Sequence, residues 1–273
     1  MSWLAVRVNA GSARDAALAA LFELGSQGVQ ESGEELVTHF PDDVDAAVVV
    51  AHLNRAVPDA IVHTTLVPEV DWAEEWKKGV GAHDLGALAI VPPWLAEGRD
   101  PARTIVIEPE MAFGTGEHQT TRGVVRLLPA LLRAGDRVAD LGAGSAVLSI
   151  AAAKLGAEQV FAIELDHDSI ANANDNVTRN GVADRVTVLE GDAGVLLPLV
   201  APVRVVLANI LSSVLLELLP RIADALTPDG EAILSGILVE ERPMMLEALA
   251  AGGWRVVAED VEGTWWSVRV ARP

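Results

Sequence analysis

The sequence contains no cysteine, which excludes a disulfide framework and a thiolate metal site and fits a reducing compartment. It also lacks an apolar stretch suited to a bilayer, because stretches such as residues 205–219 are broken by Asn209, Glu217 and Pro220. Residues 1–10 show no basic segment followed by a long apolar run, so no secretory signal is indicated. We therefore expect a cytoplasmic protein with no membrane span and no metal site.

Basic residues are scarce. Lysine and arginine number 20 against 39 aspartates and glutamates, which gives a formal net charge of -19. This charge repels a phosphate backbone, so we expect no direct nucleic-acid partner, whereas a basic protein partner suits the field better. An alternative interpretation is that the acidity only keeps the chain in solution.

The length of 273 residues and the 51% hydrophobic content favour two globular domains. Residues 3–67 follow the order strand, helix, strand, strand, helix, strand, with Ser12 as the expected cap of the first helix. This order predicts a small α+β ferredoxin-like domain over residues 1–67. Residues 68–110 carry a short acidic helix and two short strands, and we interpret them as a linker.

The remaining residues, 111–273, alternate strands and helices, which predicts an α/β fold with a mostly parallel, Rossmann-like sheet. The predicted strands cover residues 137–141, 159–164, 185–190, 203–208, 231–236, 254–261 and 264–271. The predicted helices cover residues 117–132, 146–155, 167–180, 212–226 and 240–252. Only Glu262 and Gly263 separate the last two strands, so the final, seventh strand is expected to run antiparallel.

A glycine loop follows the first strand of this sheet, within residues 138–146. Gly142 and Gly144 permit a tight turn, and the helix that follows offers unpaired N–H groups to an anionic part of a ligand. Glu164 ends the next strand, where a carboxylate can accept hydrogen bonds from two ribose hydroxyls. Together these features predict a nucleoside cofactor, although the loop by itself is also compatible with a bare turn.

The residues around the loop favour S-adenosylmethionine. A nicotinamide-binding chain normally has a third glycine where Val147 stands. Asp140, just before the loop, would repel a pyrophosphate but suits the ammonium and sulfonium charges of S-adenosylmethionine. Asp192 follows the third strand and is a candidate for binding the adenine amino group, with a solvated turn aspartate as the alternative.

Asn209 ends the fourth strand, at the edge of the sheet where ligands of such folds bind. Its amide oxygen can accept a hydrogen bond from an amine beside the methyl donor, which makes it the candidate catalytic residue. The alternative is that Asn209 caps the following helix. His118 is a possible general base, but a histidine near a helix start is more often structural.

Several motifs, taken in order, resemble the PrmA family, whose members methylate large-subunit ribosomal protein eleven. The motifs are Asp71-Trp72, Glu75-Trp76-Lys77-Lys78, Ile90-Val91-Pro92-x-Trp94, Phe113-Gly114-Thr115-Gly116-x-His118-x-Thr120-Thr121, the Asp140 loop, Asn209-Ile210-Leu211 and Ser235-Gly236-Ile237-Leu238. The resemblance is strong over residues 71–272 and weaker over residues 3–67.

This resemblance implies a cofactor site and a substrate. The cofactor contacts of the family align with Thr121, Gly142, Glu164 and Asn209, and the loop containing Phe113, Gly114 and Thr115 would lie against the cofactor. The ferredoxin-like domain would hold the ribosomal protein, whose lysine side chains and N-terminal amine receive the methyl groups. The sequence departs from the family at Ala146, Glu110 and residues 79–82, where other residues are usual.

Other functions are also compatible with the sequence. A related methyltransferase acting on another protein lysine or a small amine would share these motifs. A nicotinamide-dependent oxidoreductase is disfavoured by Val147 and by the Asn209 motif. An inactive binding module would tolerate the departures at Ala146 and Glu110.

Overall fold

The computed structural model describes residues 2–41, 43–67, 80–109 and 116–272. The chain divides into two compact units, Met1–Gly79 and Val80–Pro273. Of the segment interpreted as a linker, residues 80–109 belong to the second unit, while the acidic helix around residues 71–78 lies outside the described residues.

Among its described residues, the first unit contains a four-stranded antiparallel sheet in the order β2-β3-β1-β4, together with two helices. Its elements are β1 (Trp3–Asn9), α1 (Arg14–Glu23), β2 (Gln30–Ser32), β3 (Glu35–Pro41), α2 (Ala46–Ala56) and β4 (Ile61–Val67). Element order and strand directions match the predicted ferredoxin-like pattern.

Buried and more exposed residues alternate along β1, and its buried residues form part of the core of the first unit. Leu4, Val6 and Val8 of β1 are buried and pack with apolar side chains of both helices, while the residues between them point to the other face. The prediction that Ser12 caps α1 is wrong. The N-cap is Ala13, without a side-chain hydrogen bond, because a 3-10 turn over Gly11–Ala13 comes first.

The second unit contains a three-stranded sheet, a seven-stranded sheet and six helices among its described residues. Its strands are β5 (His83–Asp84), β6 (Ala89–Val91), β7 (Thr104–Val106), β8 (Arg137–Leu141), β9 (Gln159–Glu164), β10 (Val186–Glu190), β11 (Val203–Asn209), β12 (Leu226–Leu238), β13 (Arg255–Glu262) and β14 (Trp265–Ala271). Its helices are α3 (Gln119–Leu127), α4 (Val147–Lys154), α5 (His167–Arg179), α6 (Ala193–Val200), α7 (Ser212–Ala225) and α8 (Arg242–Ala251).

The large sheet has the order β10-β9-β8-β11-β12-β14-β13. Strands β8 to β12 are parallel to one another, whereas β14 is antiparallel to both β12 and β13. The predicted seven-stranded sheet with an antiparallel last strand is therefore confirmed. The strand order reverses beside β8, so the carboxyl ends of β8 and β11 flank the crevice where ligands bind in such sheets.

Both faces of this sheet are covered, as the nearly continuous apolar sequences of its central strands require. One face packs against α3, α4 and α5, and the other packs against α6, α7 and α8. No helix among the described ranges is long and apolar enough to cross a membrane.

Helix α6 was absent from the sequence prediction. Its segment is almost entirely apolar, so no helical period is visible, and Pro198 within it argues against a helix. Proline has no N–H to donate to the carbonyl of Gly194, four residues earlier. The guanidinium of Arg221 on α7 donates to that carbonyl instead, which explains how the helix tolerates the proline.

Candidate functional site

A cavity of about 700 Å³ opens at the carboxyl ends of β8, β9 and β11. This volume suits a nucleoside cofactor. Five of the predicted site residues line it, namely Gly142, Gly144, Glu164, Asp192 and Asn209. The predicted loop residues Phe113, Gly114 and Thr115 lie outside the described part of the chain.

The glycine loop contains two residues with left-handed backbone angles. Gly142 has φ +71° and Gly144 has φ +51°, angles that side chains rarely allow. The amide of Gly142 donates to the Ile163 carbonyl at 2.9 Å, and the amide of Gly144 donates to the carboxylate of Glu164 at 2.7 Å. The loop is therefore tied to the end of β9 by main-chain and side-chain bonds.

Glu164 joins this loop to the start of α5. Besides the bond from Gly144, its other carboxylate oxygen accepts a hydrogen bond from the amide of Asp166 at 2.8 Å. Each carboxylate oxygen keeps a second lone pair, and the residue lines the cavity. Glu164 thus shapes the loop and retains acceptor capacity for vicinal hydroxyls.

Ala146 occupies a left-handed position at the N-cap of α4, with φ +64° and ψ +17°. It is the one non-glycine residue with positive φ in the described ranges. The substitution of the usual glycine is therefore strained, at a cost of roughly 1–2 kcal/mol. The buried methyl group packs in the core beside Val147, which offsets part of that cost.

Asp140 is fully buried on β8. Its Oδ2 accepts a hydrogen bond from the Ser149 hydroxyl at 2.7 Å, whereas its Oδ1 has no partner among the described residues. Loss of hydration raises the pKa of Asp140 to about 7, the Ser149 bonds oppose this rise, and the charge of Glu164 adds to it. Asp140 does not line the cavity directly.

We expect the stability of the protein to depend on the ionisation of Asp140. A carboxyl whose pKa rises on folding binds more protons in the folded state, so its contribution is fully present below about pH 4 and is lost as pH rises through 7. Relative to Asp140→Asn, the free energy of unfolding of the wild type should fall by up to about 4 kcal/mol between about pH 4 and pH 8. Urea unfolding of both proteins across this range measures the difference, and parallel curves would contradict the account.

Asn209 lies at the end of β11 and contacts α3. Its Nδ2 donates to the Thr121 hydroxyl at 3.5 Å, and its buried Oδ1 has no partner among the described residues. The alternative that Asn209 caps the next helix is wrong, because the N-cap of α7 is Leu211. The amide is instead turned toward Thr121, another of the residues predicted to contact the cofactor.

Asp140 and Asn209 each have a buried acceptor without a partner within the described ranges, and such acceptors suit a cationic ligand. Asp140 pairs with Leu207 in the parallel register of β8 and β11, and Asn209 lies two residues further along, on the same face. A buried acceptor without a partner costs about 1–3 kcal/mol, and a ligand N–H can recover this cost by donating to Asn209, which lines the cavity. Asp140 lies behind the cavity lining and acts on a cationic ligand through its charge. The residues present therefore fit the amino-acid end of S-adenosylmethionine.

Asp192 has a structural role as well as a place in the cavity. Its Oδ1 accepts a hydrogen bond from the amide of Val195 at 3.1 Å and caps α6. Sequence reasoning also missed Leu165 and Arg221, which line the cavity. Leu165 was detectable as the residue directly after Glu164, whereas no local signal in the sequence marks Arg221.

His118 has contacts typical of a structural residue. It caps α3 by accepting from the Thr120 amide at 3.4 Å, and its ring packs edge-on against Trp265 with centroids 4.9 Å apart. Burial lowers the pKa of His118, and the charge of Arg122 lowers it further. These contacts favour the structural interpretation over a general base.

Comparison with known proteins gives consistent matches over almost the whole chain. The family described as "Ribosomal protein L11 methyltransferase (PrmA)" matches residues 3–273. A ribosomal protein L11 methyltransferase of Thermus thermophilus is 37% identical over 254 residues, which cover 93% of this chain and 93% of that protein. One of Streptococcus pneumoniae is 33% identical over 282 residues, with coverages of 90% and 88%.

Among solved structures, the crystal structure of a ribosomal protein L11 methylase from Lactobacillus delbrueckii subsp. bulgaricus is similar to this chain. The TM-score is 0.62 and the sequence identity is 32%. The match covers 70% of this chain and 98% of that chain.

Proposed function

The chain belongs to the ribosomal protein L11 methyltransferase (PrmA) family, and we propose that it transfers methyl groups from S-adenosylmethionine to lysine side-chain or N-terminal amines of ribosomal protein L11. The observation that carries this proposal is the position of Asn209. Asn209 lies beside Thr121 at the edge of a cavity that also contains Gly142 and Glu164, and its buried Oδ1 accepts no hydrogen bond from the part of the chain that the structure describes.

We propose that different residues of the cavity bind different parts of the cofactor. Glu164 accepts from the ribose hydroxyls, Asp192 faces the adenine amino group, and the Gly142–Gly144 loop lies against the amino-acid end. Asp140 and Thr121 act from behind this surface, through charge and through the hydrogen bond to Asn209. The loop containing Phe113, Gly114 and Thr115 is proposed as a further contact on the basis of the resemblance alone.

Bound S-adenosylmethionine supplies an electrophilic methyl carbon next to a positive sulfur. The attacking nitrogen needs its lone pair, yet a free lysine has a pKa of about 10.4 and is protonated at neutral pH. Burial of the amine in this cavity beside a positive charge lowers its pKa. The Asn209 amide oxygen then accepts one N–H bond and aims the lone pair at the methyl carbon. The substrate nitrogen is itself the nucleophile and the neutral thioether of the cofactor is the leaving group, so the chain needs no nucleophile of its own. The amine proton leaves to water.

We propose that the first unit holds the protein substrate and that the acidic chain favours a basic protein, without a direct nucleic-acid partner. A formal charge of -19 attracts a basic protein and raises its rate of encounter. Such steering is screened by salt.

Labelling of a mixture of ribosomal proteins tests the proposed function. With radiolabelled S-adenosylmethionine, we expect the label on L11. Labelling of a different protein would favour the alternative methyltransferase, and a bound ligand absorbing in the near ultraviolet would indicate a nicotinamide enzyme instead.

A shortened chain tests the role of the first unit. A fragment that begins near residue 70 keeps the whole second unit, so we expect it to bind S-adenosylmethionine with the affinity of the full chain. Its methylation of intact L11 should be slower by at least about 10-fold, because the substrate is no longer held near the cavity. Calorimetry and a methylation time course measure the two properties, and equal rates would contradict the presenting role.

A further inference from the structure

Ile210, directly after Asn209, lies between two glycines of the neighbouring strands. Gly142 follows β8 and Gly236 lies within β12, and these two strands flank β11 on either side. Both glycines have positive φ, +71° and +82° respectively. The two contacts with Ile210 differ in kind, because one involves its side chain and the other its backbone.

Gly236 contacts the backbone of Ile210. A Cβ added at position 236 would overlap the Ile210 carbonyl oxygen and would lie 2.9 Å from its carbonyl carbon and 3.0 Å from its amide nitrogen. Backbone atoms cannot rotate away as the end of a side chain can. The ladder between β12 and β14 is irregular between Leu234 and Ile237, which brings Gly236 out of regular pairing at this point.

Gly142 contacts the side chain of Ile210. A Cβ added at position 142 would overlap the Cγ2 atom of Ile210. Gly142 also belongs to the loop tied to β9 through the Ile163 carbonyl. The side chain of Ile210 therefore contacts the glycine loop, and its backbone contacts β12.

We infer that Ile210 is a positioning residue, held between Gly142 and Gly236, that fixes the orientation of the Asn209 amide toward Thr121. The Asn209–Thr121 hydrogen bond is long, at 3.5 Å, so it orients the amide weakly by itself. Asn209 and Ile210 share a peptide unit, and a shift of Ile210 therefore moves Asn209. The expected effect of Ile210 on catalysis rests on the proposed function. The expected effect of Ile210 on the orientation of the Asn209 amide does not.

The variant Gly236→Ala tests this inference, with Gly181→Ala as its matched control. Gly181 also has positive φ, at +65°, but a Cβ added there meets nothing within 4 Å. Both substitutions introduce left-handed strain, which should lower Tm by about 2–8 °C, and the overlap with Ile210 should lower Tm further in Gly236→Ala. Only Gly236→Ala must displace Ile210, by roughly 1 Å. Because Ile210 also lines the cofactor cavity, kcat is compared at saturating S-adenosylmethionine. Under that condition we expect kcat for L11 to fall about 10- to 100-fold in Gly236→Ala alone.

A second measurement, of the NMR signals of Asn209, does not depend on enzymatic activity. The side-chain NH2 signals of Asn209 in a ¹H–¹⁵N spectrum can be assigned by their loss in Asn209→Ala. They should move in Gly236→Ala and stay in place in Gly181→Ala. Unmoved Asn209 signals, or a kcat equal to that of Gly181→Ala, would overturn the inference.

The two proposals fail in different ways. A wild type that does not methylate L11 rejects the proposed function, while the Asn209 signals still decide the role of Ile210. If Gly236→Ala does not fold, Ile210→Ala takes its place, because it removes the Cγ2 contact to Gly142 from a residue that is only partly buried. Its Asn209 signals should move as well, and signals at the wild-type position would reject the role.

Discussion

The variant Asn209→Ala should lose about 10- to 10³-fold in kcat at saturating S-adenosylmethionine, the range expected when a reacting group loses its orientation. The amide makes one long bond to Thr121 and caps no helix, so its removal should change Tm little. Saturation with the cofactor separates the effect on catalysis from any effect on binding. In the wild type, the rate should rise with pH until the substrate amine is deprotonated.

Asn174→Ala is the matched control for this experiment. Asn174 is exposed on α5, where its amide donates to the Ile170 carbonyl at 2.9 Å. We expect wild-type kcat from this variant. A folded Asn209→Ala protein with near-full turnover would remove Asn209 from the mechanism, because the structure offers no helix-capping role in its place.

The variant Glu164→Ala should bind S-adenosylmethionine more weakly by about 1.5–3 kcal/mol, or roughly 10- to 150-fold in Kd. Two effects contribute. The carboxylate no longer accepts bonds from the ribose, and the amides of Gly144 and Asp166 lose the acceptor that fixes the loop. Calorimetry of the folded variant measures the change.

Glu190→Ala provides the control for Glu164→Ala. Glu190 ends β10 in register with Glu164, but it is exposed and pairs with His167 at 3.0 Å. This substitution removes an equal charge from the neighbouring strand without touching the loop. If both variants bound the cofactor as the wild type does, Glu164 would have no place in the site.

Residues at strand ends were the part of the site that the sequence could reveal. The apolar run of β9 ends at Glu164 and that of β11 ends at Asn209. Because apolar runs that alternate with helices predict a parallel sheet, the sequence alone places both side chains at one edge of that sheet. The hairpin at Glu262 and Gly263 likewise implied the antiparallel last strand, because its loop is too short for a crossover.

Features that depend on contacts distant in sequence were not predictable. In helix α6, Arg221 satisfies the carbonyl that Pro198 leaves without a donor, and no local sequence pattern predicts that hydrogen bond. The left-handed angle of Ala146 contradicts the preference of alanine. Ser12 failed as a cap for a different reason, since a 3-10 turn shifted the helix start past it.

The contacts of Ile210 with two glycines also depend on residues distant in sequence and were therefore not predictable. In the sequence, Gly142 belongs to the glycine loop and Gly236 to a distant strand, and only the order of β8, β11 and β12 brings both against one residue. A family motif can mark such positions without stating what they contact. The structure supplies the contact and with it a physical reason for the glycine.

The central claim, methylation of L11 by this chain, is tested most directly by the mass of the purified substrate. L11 is incubated with S-adenosylmethionine and either the wild-type chain or the Asn209→Ala variant, and its intact mass is followed over time. We predict a gain of one or more whole methyl groups with the wild type, with peptide mapping placing them on lysine side chains or the N-terminal amine, and a much slower gain with the variant. An unchanged mass with folded, cofactor-binding wild-type protein would contradict the account.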